Sequence, residues 1–170
     1  MEYVAAVYLI AAVLLGAAGA SKAVTPEPAS AALARLELYH RRWAVRLLGL
    51  VELAVAVSAF ILGGVVPATA LAALYAGFAV VAAAMVRSGS AEPCGCFGRI
   101  EMPATWRHVV VNILAALVGL TAASWPVEAI DKLFDTQQWL LAPFAVVVAG
   151  GAFGIFAWLS RRPKPRAARS

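Results

Sequence analysis

Five apolar runs, each about as long as a bilayer is thick, limit what this chain can fold into. They are Tyr3–Ala20, Ala44–Val66, Ala68–Val86, His108–Trp125 and Trp139–Leu159. A run of about 18 apolar residues with few charges is long enough to cross the hydrocarbon core as a helix. The chain is 63% apolar and only 14% charged, where a soluble domain is nearer half and a quarter. The expected fold is therefore all-α: a polytopic membrane protein with a four-helix transmembrane bundle and a fifth, C-terminal transmembrane helix. Residues 1–125 form the four-helix core, 126–160 a polar connection and the fifth helix, and 161–170 a basic tail.

Breaks between the runs follow from local chemistry. Ala18-Gly19-Ala20-Ser21 could pass for a signal-peptidase site, but Glu2 stands where a signal peptide is basic, so the first span reads as retained. Lys22 follows that span, and Thr25-Pro26-Glu27-Pro28 interrupts the helix because proline lacks an N–H and restricts its predecessor. Ala29–Arg42 reads as a short interfacial helix with Leu33, Leu36 and Tyr39 at helical spacing. Gly63-Gly64 marks a tight turn, with Pro67 suited to the first turn of the next helix. Trp139 and Trp158 are placed as interfacial anchors, and Gly150-x-x-x-Gly154 is a close-packing motif.

With five spans, thirteen of the 14 Lys and Arg residues fall on one face and only Lys132 on the other. The net charge of +5 is thus explained by topology rather than by nucleic acid binding. The positive-inside rule puts the loop 87–107 and the C-terminus in the cytoplasm and the N-terminus outside, in a cell (inner, cytoplasmic) membrane.

That loop holds the only two cysteines, in Glu92-Pro93-Cys94-Gly95-Cys96-Phe97-Gly98-Arg99. A disulfide between them needs a bent backbone, which Gly95 permits, and so small a ring is strained and easily reduced. The pair suits dithiol–disulfide exchange better than it suits a structural staple. Inert thiols and a partial metal site remain open readings; two ligands fall short of the four that structural zinc takes, and neither His40 nor His108 has ligand-like spacing. No metal is expected.

Other polar residues lie near the same face. Glu52, two turns into the second span, is costly in lipid unless paired. Helices alternate direction, so Lys22, Glu52, His108, Asn112 and the cysteine loop share one end of the bundle. Lys22 and Glu52 read either as an ion pair tying two helices or as catalytic groups, with Lys22 or Arg99 favouring the thiolate and Glu52 handling protons. Asn112 is expected to make a helix–helix hydrogen bond, and His108 to be an interfacial residue rather than a base.

Cys94-Gly95-Cys96-Phe97-Gly98 resembles the motif of the MauE/DoxX-like family of methylamine utilisation membrane proteins. Gly19-Ala20-Ser21-Lys22, Leu50-Val51-Glu52-Leu53 and Arg107 through Asn112 resemble the family's lysine after helix one, its acidic residue in helix two and its arginine and asparagine at the start of helix four. The resemblance covers roughly Tyr3 to Ala123 and implies a four-helix membrane bundle. It implies thiol–disulfide handling in the maturation of exported enzymes, with a thioredoxin-like partner. It makes Cys94 and Cys96 the reactive pair and Lys22, Glu52, Gly95, Phe97, Gly98, Arg99, Arg107, His108 and Asn112 their support. The fifth span and basic tail depart from the family pattern, and no methylamine-specific feature is present.

The expected function is therefore a membrane thiol–disulfide oxidoreductase. No residue pattern demands a cofactor, and a quinone in the bundle is a compatible electron acceptor. The alternatives are a non-enzymatic assembly factor, with the Cys-Gly-Cys loop as a docking or metal-handoff site, and a small transporter built round Glu52 and Lys22. The orientation is checked by a reporter fused after Ser170: a cytoplasm-active reporter should work there, and activity of a periplasm-only reporter would overturn the assignment.

Overall fold

The computed structural model describes residues 2–89, 104–127 and 141–159. Six helices order these residues: α1 (Glu2–Val24), α2 (Glu27–Arg35), α3 (Arg42–Ile61), α4 (Val65–Arg87), α5 (Trp106–Ser124) and α6 (Leu141–Leu159). Helices satisfy their own backbone groups, which lipid cannot do for them. Four of the six (α1, α3, α4 and α5) are long and apolar enough to cross a membrane. The expected all-α, multi-pass bundle is thus present. The expected fifth span is not on the same footing: the apolar stretch of α6 among the described residues, Ala145–Leu159, is shorter, and Trp139 lies outside them.

Several boundaries differ from the sequence reading. α1 continues to Val24, so Lys22 lies inside its last turn rather than beyond it. α2 begins at Glu27, with Pro28 in its first turn where the missing N–H costs nothing, and it stops at Arg35. Glu37 adopts a positive φ of 56°, and the N–H groups of Leu36 and Leu38 both return to the Leu33 carbonyl. Tyr39 therefore lies in an exposed loop, and the buried side of α2 is Ala29 and Ala32. α3 ends at Ile61, because Gly63 and Gly64 turn the chain with φ of 60° and 80°. The Gly64 N–H donates to the Val127 carbonyl at 2.8 Å, tying this turn to the end of α5. Pro67 occupies the first turn of α4, as expected.

α1 pairs most extensively with α3, and α4 with α5; α1 also touches α5 and α6. Tyr8, Leu9, Ala12 and Leu15 of α1 are fully buried together with Leu71 of α4. Lipid competes with apolar side chains for contact, so close helix approach relies on small residues. At the α1–α3 crossing a Cβ added to Gly49 would stand 2.6 Å from the Gly19 carbonyl oxygen, and one added to Gly19 equally close to the Gly49 oxygen. Gly119 of α5 meets Ala72 of α4 in the same way, at 2.9 Å. On α6 the glycine in contact is Gly151, against Ile10, whereas Gly150 and Gly154 have nothing within 4 Å. The Gly150-x-x-x-Gly154 motif is thus not what packs α6 onto the described bundle.

Gly151 lies beside Ile10, and Trp158 beside Arg107. α6 therefore runs in the same direction as α1 and ends at the start of α5. Trp43, Trp106 and Trp158 are partly or largely exposed at this end, as the aromatic belt of a membrane interface requires.

The glycine contacts separate two otherwise similar substitutions. Gly49→Ala forces the backbones of α1 and α3 apart and should lower stability by about 1–3 kcal/mol, the usual cost of overpacking. Gly77→Ala, where an added Cβ meets nothing within 4 Å, should be neutral or stabilising by up to about 1 kcal/mol through helix propensity. Thermal unfolding in detergent distinguishes the two.

Candidate functional site

The Gly19–Gly49 contact fixes how α1 lies against α3, and three residues further along α1 it delivers a lysine into the apolar interior. Lys22 Nζ donates to Glu52 Oε2 at 2.9 Å. The lysine is 4% exposed and the glutamate 0%. Glu52 stands nine residues beyond the interfacial Trp43, or about 13 Å at 1.5 Å per residue, well inside a hydrocarbon core about 30 Å thick. At that depth each charge is tolerable only because the other is present. The Phe78 ring of α4 supports the ammonium, its centroid 5.0 Å from Nζ. Glu52 Oε1 is buried and has no hydrogen-bond partner among the described residues, an uncommon state for a buried polar atom.

A second polar cluster shares Phe78 with this pair. Thr105, which caps α5, directs its backbone N–H at 3.2 Å and its hydroxyl at 3.0 Å to His108 Nδ1. An amide only donates, so Nδ1 is the acceptor and the imidazole proton belongs on Nε2. His108 is 5% exposed. Asn112 Nδ2 donates to the His108 carbonyl of its own helix at 2.8 Å. His108, Asn112, Tyr75 and Phe78 line a cavity of about 30 Å³ with Leu14 and Leu159, room for on the order of one water. Tyr75 Oη donates to the Ala11 carbonyl at 2.7 Å, fixing α4 against α1 beside this cavity.

The structure thus brings together Lys22 with Glu52 and His108 with Asn112, with Phe78 common to both surroundings. The helix–helix bond expected of Asn112 is instead a bond within α5. His108, expected at the interface, lies in the first turn of α5 two residues after Trp106, where it is buried and forms part of a helix cap. Arg107 joins neither cluster; it is exposed, and its guanidinium lies 5.0 Å from the centroid of the Trp158 ring. Cys94, Gly95, Cys96, Phe97, Gly98 and Arg99 lie outside the described residues. The elements flanking their loop are described: α4 ends at Arg87, and Ala104 packs against Ala32 and Met85 before α5 begins. Among the described residues no three metal-ligating side chains gather.

Sequence reasoning missed Phe78, Tyr75 and Thr105. Thr105-x-x-His108 carried a usable signal, a capping residue three positions before a side chain that can answer it. Tyr75, a phenol in mid-span rather than at an interface, carried another. Phe78 carried none, since an apolar ring in an apolar helix has no local signature.

The family model for methylamine utilisation protein MauE matches residues 2–127. No curated protein and no solved structure matches the chain.

Removing one member of the buried pair leaves the other uncompensated. Lys22→Met or Glu52→Leu alone should destabilise the protein by about 3–5 kcal/mol, whereas the double variant should lose much less than the sum. A double-mutant cycle on thermal unfolding in detergent measures this; additive losses would show that the two charges do not depend on each other.

Proposed function

We propose, because the chain belongs to the MauE family of methylamine utilisation membrane proteins, that it performs thiol–disulfide exchange with Cys94 and Cys96 as the reacting pair. In the oxidising direction one thiolate of the reduced pair attacks a partner's disulfide, forming a mixed disulfide and releasing one partner thiolate. The second cysteine then attacks the mixed disulfide. The partner leaves as a dithiol, two electrons richer, and Cys94 and Cys96 are left as a disulfide. The reverse sequence reduces them again. A thioredoxin-like protein is the class of partner that supplies or accepts such a dithiol.

One observation carries the reading: the buried Lys22–Glu52 pair, in which Glu52 Oε1 has no hydrogen-bond partner among the described residues, lies in the half of the bundle where α1 and α4 end. Intramembrane ionisable groups of this kind are functional candidates by default. Lys22 supplies positive charge that favours a thiolate, and the free carboxylate oxygen can hold the proton a thiol gives up. Gly95, Phe97, Gly98 and Arg99 belong to the same motif, and His108 and Asn112 lie in the first two turns of α5, which follows it in the chain.

The same proposal takes α6 as a fifth crossing. Its direction parallel to α1, and its end beside the start of α5, agree with a C-terminus on the cysteine-loop face. The basic loops then put that face in the cytoplasm of a cell membrane, and residues 1–125 form the working unit. A quinone fits the described cavities poorly. The cavity beside His108 and Asn112 holds about one water, and the larger crevice, between α1, α5 and α6, is lined by apolar side chains with Trp158. No electron step is assigned to it.

Thiol trapping in cells should find the pair in both reduced and oxidised forms, and Cys94→Ser and Cys96→Ser should each fail to rescue a deletion strain. A pair never oxidised under any growth condition would refute the exchange reading. Full rescue by the double serine variant would assign the loop a docking role instead.

A further inference from the structure

We infer that the crevice between α1, α5 and α6 is a binding site for one acyl chain of an anionic phospholipid whose phosphate lies at Arg107. The crevice has a volume of about 490 Å³ and is walled by Ile10 and Leu14 of α1, Val111 and Leu114 of α5, and Gly154 and Ile155 of α6. α6 meets α1 at Gly151 and the start of α5 at Trp158, and between these contacts a Cβ added to Gly154 would meet nothing within 4 Å. Along α5 its lining runs from Val110 to Val118, about 12 Å at 1.5 Å per residue. That is less than half of a core about 30 Å thick, the depth of a chain in one leaflet.

The lining selects for hydrocarbon. Beyond the Trp158 indole it offers no polar side chain, so a ligand carrying oxygens into its depth would leave them unpaired at a cost of about 2 kcal/mol or more each on transfer scales. A methylene chain has no such requirement. The mouth selects for an anion. Arg107 is exposed and stacked near Trp158, with no carboxylate in salt-bridge range among the described residues. Its guanidinium is thus held by an aromatic ring at headgroup depth with its N–H donors available to phosphate oxygens. Basic sites between transmembrane helices are where anionic headgroups bind.

The site does not depend on the redox reading and is tested without it. The full-length chain, purified in mild detergent, is titrated with phosphatidylglycerol and with phosphatidylcholine of the same acyl chains, and retained lipid is counted by native mass spectrometry. The wild type should retain one phosphatidylglycerol per chain, preferred about fivefold, the ratio that about 1 kcal/mol per basic side chain implies. Arg107→Ala should abolish the preference while leaving chain binding. Gly154→Phe, which adds bulk where there is open space, should lose both lipids with its melting temperature unchanged or raised. Equal retention of the two lipids by all three proteins would overturn the inference, as would one quinone per chain extracted in place of phospholipid.

Discussion

A buried ion pair between α1 and α3, Lys22 with Glu52, holds this protein together. Neither Lys22 nor Glu52 can be accommodated alone, and together they are held at 2.9 Å with almost no exposure. The cost of separating them in hydrocarbon makes the α1–α3 pairing the least negotiable contact in the bundle. It also sets the register: a one-residue slide of α1 along α3 would strain the ion pair and move Gly19 and Gly49 away from the crossing where an added Cβ would meet the facing carbonyl at 2.6 Å.

The other helices are arranged around that pair. α4 contributes Phe78 against the ammonium and Tyr75 to the Ala11 carbonyl, so one face of one helix seals the charge and fastens α1. α5 reaches the same region through its first turn, where the Thr105 cap fixes His108 with its Nδ1 turned to the backbone. The end of α4 and the start of α5 therefore lie on the same side of the bundle as these polar groups. The crevice beside α6 adjoins this region, sharing Leu14 and Val111 with the cavity at His108, but its lining is apolar apart from the Trp158 indole.

Much of the fold was legible from the apolar runs alone, because crossing a membrane imposes a length that shows in sequence. Helix ends were less so. α2 was displaced because Pro28 opens a helix as readily as it breaks one, and the positive φ of Glu37 has no signal in its residue type. Among the site residues, the Lys22–Glu52 pairing was among the readings the sequence offered, since a carboxylate in a span calls for a cation. The roles of His108 and Asn112 were not: the first became a cap partner, the second a bond within its own helix.

The sequence by itself determined that the chain is helical, that it carries apolar runs long enough to cross a membrane, and that its two cysteines fall in the segment between α4 and α5. Those properties follow from composition and from lengths along the chain. The tertiary structure decided which glycines are contacts, that Gly151 rather than Gly150 or Gly154 meets α1, and that Arg107 turns to Trp158. It also left one oxygen of Glu52 without a partner among the described residues. The reason is rotational. A helix apolar on every side carries no stripe to say which face turns inward, so the faces are chosen only when small residues, one ion pair and a few buried donors are satisfied together.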